Sequence, residues 1–171
     1  MSAQNSLGTY PDYFYKYIRL VENENLNDAL KKQLDDAAQF FNSIPQEKYL
    51  YKYAEGKWSV KEVLQHIIDT ERVFSYRSFV FARKDPNTFP SFDENEYAKN
   101  SNADNRKWED LISEFIAVRN STADLFKSFS EEQLMQAGKA SNYEMSVKAL
   151  GYTIAGHVVH HINILKERYL Q

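Results

Sequence analysis

The residues of this chain best suited to chemistry are its four histidines, three of them crowded into His157-Val158-Val159-His160-His161. Imidazoles at positions i and i+4 of a helix sit one turn apart on the same face and can converge on one metal ion. His157 and His161 have that spacing. The pair needs a third ligand from elsewhere, and the one remaining histidine is His66. Three neutral nitrogens would leave coordination positions open to water or substrate, which is the catalytic arrangement; structural zinc sites are closed by four protein ligands. The plainer reading is a set of core histidines, each hydrogen-bonded to a neighbour. The chain has no cysteine, so disulfides, zinc-thiolate sites and a cysteine nucleophile are excluded.

The elements that must position these side chains are helices. Five glycines and four prolines in 171 residues leave long uninterrupted stretches, and no alternating strand pattern or internal repeat is visible. Between Pro11 and Pro45 a short aromatic piece (Tyr13, Phe14, Tyr17, Ile18) precedes an amphipathic stretch with Leu26, Leu30, Leu34, Ala37, Phe41 and Ile44 on one face. Ser59-Val60-Lys61-Glu62 is a capping box, so a helix starts after Ser59 and runs to about Arg83. Residues 84–103 read as a long connection. Asp104 is placed to cap a third helix through Trp108, Leu111, Phe115, Val118 and Leu125. Ser130 to Gln133 caps a short segment, and a final helix fits Ser146 to about Tyr169. Four principal helices predict an all-α four-helix bundle, a single domain over residues 1–171.

At about 100° per residue, Val147, Leu150, Ile154, Val158 and Leu165 cluster on one side of the last helix. His161 falls within that cluster, His157 on its edge, and His160 well off it. His66 lies about two turns into its helix, beside the face of Val63, Ile67, Phe74 and Phe81. The candidate metal ligands are therefore His66, His157 and His161. His160 is a neighbouring or surface group, and the substitute ligand should the helical phase be shifted. Asp69 and Asn163 could accept a hydrogen bond from a ligand histidine, although exposed positions suit them as well. Glu71 could be a general base near the metal, or the partner of a buried arginine such as Arg77, Arg83 or Arg119. Tyr97 and Tyr143 could line a pocket mouth.

A formal net charge of −3, with Lys and Arg interspersed among Asp and Glu, argues against a nucleic-acid partner. No apolar stretch approaches membrane-spanning length and no apolar run follows a basic start, so no membrane partner is expected and a cytoplasmic location is.

The stretch from Lys57 to Phe74, with His66 at its centre, resembles the second-helix signature of the DinB/YfiT-like superfamily. Ile154 to Leu165 resembles its fourth-helix signature, and the likeness runs from about Leu26 to Leu170. The resemblance implies a four-helix bundle whose histidine triad binds a divalent metal ion, nickel or zinc, at positions that map onto His66, His157 and His161. It further implies a metal-dependent hydrolase, or an S-transferase using a low-molecular-weight thiol such as bacillithiol or mycothiol, acting on a small-molecule substrate. The alternative is a non-catalytic metal- or ligand-binding bundle. Relatives often pair, and the aromatic segment Tyr10 to Tyr17 offers apolar surface for a homodimer.

Overall fold

Four long helices carry the fold of this computed structural model, which describes residues 4–171. They are α1 (Leu26–Asn42), α2 (Val60–Ala82), α3 (Trp108–Lys127) and α4 (Val147–Ile164). Three begin on the side-chain oxygens that free helix N–H groups require. Asn25 accepts from Asn27 and Asp28 at the start of α1. Ser59 and Glu62 form the full reciprocal box at the start of α2, and Ser146 accepts from Ala149 at the start of α4. The third helix departs from expectation: Lys107 is its N-cap, with no side-chain bond. Asp104 lies four residues before Trp108, too far upstream to reach the first N–H groups of α3, and instead accepts from the Ser59 hydroxyl at 2.5 Å.

Packing follows the apolar faces. The expected inward residues of α2 (Val63, Ile67, Phe74, Phe81) and of α4 (Val147, Leu150, Ile154, Val158, with Leu165 just beyond) are all buried. α2 packs on α3 and α4, and α1 packs on α3 and α4, so consecutive helices α1 and α2 stand diagonally across the bundle, as do α3 and α4. The two helices that carry the histidines are thus direct neighbours.

Shorter elements accompany the four long helices. A small sheet, unexpected from the sequence, joins β1 (Thr88–Phe89), β2 (Ala137–Ala140) and β3 (Tyr143–Ser146). β1 runs parallel to β2, and β2 antiparallel to β3. Strands this brief show no periodicity, and the hairpin turns at Ser141 in the left-handed region (φ 55°), without a glycine to announce it. Within residues 84–103 there is also a helix, Glu94–Asn100, capped by Asp93. The N-terminal aromatic piece folds as two short turns, Asp12–Phe14 and Tyr15–Ile18, laid against α4. Gly156 permits this: a Cβ there would come within 2.0 Å of the Tyr17 carbonyl oxygen. After Ile164 the expected α-helix widens into a π turn, Leu165–Tyr169, which buries both Leu165 and Tyr169. Among the described residues no helix is long and apolar enough to cross a membrane.

Candidate metal centre

His66 stands in the second turn of α2, and His157 and His161 stand one turn apart on the facing side of α4. The Nε2 atom of His157 lies 3.1 Å from Nε2 of His66 and 3.1 Å from Nε2 of His161. One ligand nitrogen from each of the three lies within 4.8 Å of the others. Hydrogen bonding alone satisfies this arrangement poorly. A neutral imidazole has one N–H and one lone pair, so His157 Nε2 can serve only one of its two neighbours well. A shared cation serves all three. With metal–nitrogen bonds of about 2.0–2.1 Å, two nitrogens on one ion sit roughly 2.9 to 3.4 Å apart, for octahedral to tetrahedral angles. The donor set, three nitrogens with no acid or thiolate, suits a divalent metal ion.

The protonation states agree with that use. Burial lowers the pKa of His66 to about 4, assisted by the charge of His160. Burial likewise holds His157 and His161 well below the ordinary histidine value, with the neighbouring imidazoles adding to the effect. At neutral pH all three present free lone pairs, the form a metal requires.

Aromatic and hydroxyl groups frame the cluster. The Trp58 ring lies 4.7 Å from that of His66, and Tyr17 meets His157 edge-on at 5.3 Å. Trp58 is held from behind, its carbonyl accepting from the Tyr169 hydroxyl at 3.0 Å, so the π turn has a purpose at the site. Thr70, one turn after His66, places its hydroxyl 3.5 Å from His66 Nδ1. His160 is half-buried, outside the triad, with its ring 5.1 Å from those of both Tyr17 and His161. Its pKa is also lowered, chiefly by burial and then by Lys16. The histidines open into a cavity of about 280 Å³ whose walls include Phe14, Phe74, Tyr143 and Arg77, at the small end of ligand pockets.

The remaining candidates lie elsewhere. Glu71 is buried away from the histidines and binds Arg119 through two 2.8 Å hydrogen bonds, with Gln33 taking a third guanidinium donor. It is the partner of an arginine, and none of its contacts is with a histidine. Asp69 accepts from Gln65 at 2.8 Å, and Asn163 is exposed; neither contacts a histidine. Thr70 occupies the place beside His66 that was expected of them. Tyr143 lines the cavity, whereas Tyr97 is exposed and lines shallower depressions beside it. Thr70, Trp58 and Tyr17 were missed as site residues. Thr70 was within reach of the spacing argument, four residues after His66 on the same face.

Comparison with known proteins gives the arrangement a family. The model of the DinB superfamily matches residues 29–165. The chain belongs to the DinB superfamily. A protein of Oceanobacillus iheyensis, provisionally named a metal-dependent hydrolase, is 27% identical over 126 residues, covering 73% of this chain and 72% of that protein. The solved structure of YfiT from Bacillus subtilis, described as a probable metal-dependent hydrolase with an unusual four-helix bundle topology, superposes with a TM-score of 0.69. It covers 93% of this chain and 87% of YfiT at 14% identity. At that identity the likeness establishes the fold, and the diagonal placement of consecutive helices described above is the bundle topology of this DinB chain.

Proposed function

We propose that this DinB chain is a metal-dependent hydrolase of a small molecule, with His66, His157 and His161 holding one divalent ion, zinc or nickel. The observation that carries the proposal is the meeting of three neutral imidazoles, those of His66 and His157 buried and that of His161 partly so, on the wall of a cavity, together with the provisional name of the Oceanobacillus relative. A bound ion in an open three-nitrogen site acidifies a water or a small thiol held against it. The protein's own groups do the rest. Tyr17 and Trp58 pack their rings against His157 and His66, and the Thr70 hydroxyl stands 3.5 Å from Nδ1 of His66. Glu71 is committed to Arg119 and is not free to act as a base. His160, neutral and on the cavity wall, is the group placed to take a proton.

A second reading, transfer to a low-molecular-weight thiol, is favoured by one feature. The chain lacks any cysteine, so a thiolate nucleophile would have to arrive from solution. Reconstitution with zinc, nickel or manganese, followed by a panel of esters and amides with and without added small thiols, tests both. Turnover without thiol supports the hydrolase; turnover that depends on thiol replaces it with the transferase; a metal-loaded protein inert to the whole panel returns the site to a binding role. A homodimer is part of the same proposal, on narrower ground than the sequence offered. Phe14 and Tyr17 are spent on the chain's own core, leaving Tyr13 and Tyr15 exposed at 61% and 44%. Sedimentation at micromolar concentration showing a monomer overturns it.

A further inference from the structure

One buried cation in the cavity wall is in none of the ion pairs among the described residues. Arg77 is buried to 3% exposure, and both of its protein acceptors are neutral oxygens. Nη1 donates to the Tyr143 hydroxyl at 2.9 Å and Nη2 donates to the Pro90 carbonyl at 2.7 Å. Among the described residues none of the ion pairs includes it. The face of Phe74 lies 5.7 Å from its guanidinium carbon. Desolvating a cation costs several kcal/mol unless an opposite charge comes with it, and a guanidinium carries five N–H donors. Two are engaged here. Arg77 and Tyr143 both line the cavity that holds the histidines, and Tyr143, having accepted from Arg77, still has its own proton to give.

His66, Thr70, Phe74 and Arg77 follow one another by steps of four, four and three, so they share one face of α2. Arg77 stands eleven residues from His66, about 16 Å further along the axis at 1.5 Å per residue. Aromatic walls occupy the interval, from Phe74 on α2 to Phe14 of the N-terminal turn, whose ring is 6.0 Å from that of Phe74. The cavity is thus chemically bipolar along its length. One end is a cluster of imidazole lone pairs, the middle is apolar, and the far end is a single guanidinium beside a hydroxyl donor.

We propose that Arg77 and Tyr143 form a carboxylate-recognition subsite, so that the substrate of the histidine site is a small monocarboxylate with an apolar, aromatic-sized body. This rests on the reading of that cavity as a substrate site. A single carboxylate matches the single positive charge, and its two oxygens match one guanidinium edge and one hydroxyl. A phosphate monoester would bring nearly two charges to one cation, in a cavity whose wall also includes the carboxylate of Glu94. Arg77 is a specificity residue in this account. The bonds that change lie at the other end.

The test uses 4-(trifluoromethyl)phenylacetate and its neutral amide as probes, titrated into the full chain and followed by fluorine NMR. Running it on metal-free protein prevents a bound ion from capturing the carboxylate, and a parallel run on zinc-loaded protein includes the complete site. Wild type is expected to prefer the acid by about tenfold or more, the scale of one charge-assisted hydrogen-bond set. Arg77→Gln should bring the ratio of the two affinities to about one. Tyr143→Phe should lower it by a smaller factor and is the fallback if Arg77→Gln does not fold. Equal affinity for acid and amide in wild type, no binding of either probe, or a preference surviving in Arg77→Gln overturns the proposal. Displacement of the acid by inorganic phosphate at equal or lower concentration overturns the carboxylate assignment. Bound zinc per chain, measured on the same samples, reports the histidine site separately: Arg77→Gln should retain it, so failure of the subsite and failure of the metal reading are distinguishable.

Discussion

Two polar clusters are buried along α2, and they are finished differently. Glu71 and Arg119 close on each other: both carboxylate oxygens are used, Gln33 takes a further donor, and the pair is 2% and 0% exposed. The histidine cluster, which joins His66 on another face of α2 to His157 and His161 of α4, ends in unshared lone pairs that open on a cavity, with the unpaired Arg77 three turns beyond His66. A buried group with all its valences met inside the protein contributes to the fold or to its specificity. A buried group left with capacity to spare, facing a space a ligand can enter, is where binding is to be sought. The two arginines make the point most directly. Arg119 and Arg77 are both buried, and one has a carboxylate while the other has a hydroxyl, a carbonyl and a cavity.

If that distinction is right, the largest effect on stability comes from the closed pair. Glu71→Ala strands the Arg119 guanidinium in the core and should cost about 3–5 kcal/mol, the range for removing one partner of a buried ion pair. Chemical denaturation measures this, and bound metal in the folded fraction should be unchanged. A loss of metal with normal stability would mean Glu71 serves the site after all.

The open cluster should behave in the opposite way. His66→Ala, His157→Ala and His161→Ala should each weaken metal binding by more than about a hundredfold, beyond the tenfold to hundredfold typical of groups that merely orient a ligand. Folding should survive, because the bundle is held by buried Leu, Ile, Val and Phe. His160→Ala should leave metal content unaltered, its ring standing outside the triad. Elemental analysis beside far-UV dichroism separates the outcomes, and retention of metal by all three triad variants would remove the site.

Acid should find the histidine cluster as well. Burial lowers the pKa of His66 to about 4 and those of His157 and His161 in the same direction, while in the unfolded chain each imidazole titrates near about 6.5. The unfolded state therefore binds more protons than the folded one in the window between, and stability rises with pH there. In metal-free protein this contribution is complete above about pH 6.5 and is lost as pH falls through the folded value of His66, about 4. Thermal melts that are flat from pH 7 to pH 5 in the absence of metal would contradict it.

Long-range order was easier to read in this sequence than local irregularity. That His66, His157 and His161 meet follows from spacing, since each lies at or beside the apolar stripe of a long helix and such stripes must face one another. The capping boxes at Ser59 and Ser130 are where reciprocal oxygens and N–H groups require them. Glu71 is ambiguous in the sequence between base and ion-pair partner because the choice depends on whether an arginine from another helix, here Arg119 of α3, arrives opposite it. Asp104 was misassigned because its competitor, the Ser59 hydroxyl, comes from 45 residues away. The small sheet was invisible because two- and four-residue strands carry no period. Gly156 is intelligible only once the N-terminal turn is seen resting on it.

The smallest effect expected at the site concerns Thr70. Among the described residues its hydroxyl is the side-chain oxygen found beside Nδ1 of His66, at 3.5 Å, a separation at which a hydrogen bond is weak. Groups of this kind set the tautomer and hold the ring so that the other nitrogen points at the metal, and losing them usually costs tenfold to a hundredfold in affinity. The length of this contact puts Thr70→Val at the lower limit, about tenfold. Valine keeps the volume and the branching, so the core around Thr70, which is 3% exposed, should not collapse. Thr70→Ser, which restores the hydroxyl, should recover most of the affinity. Competition with a metal-sensitive dye gives the three constants. Unchanged affinity in Thr70→Val with weakening in Thr70→Ser would show that the methyl packing matters and the hydroxyl does not, and His66 would then be oriented by its ring contacts, above all with Trp58.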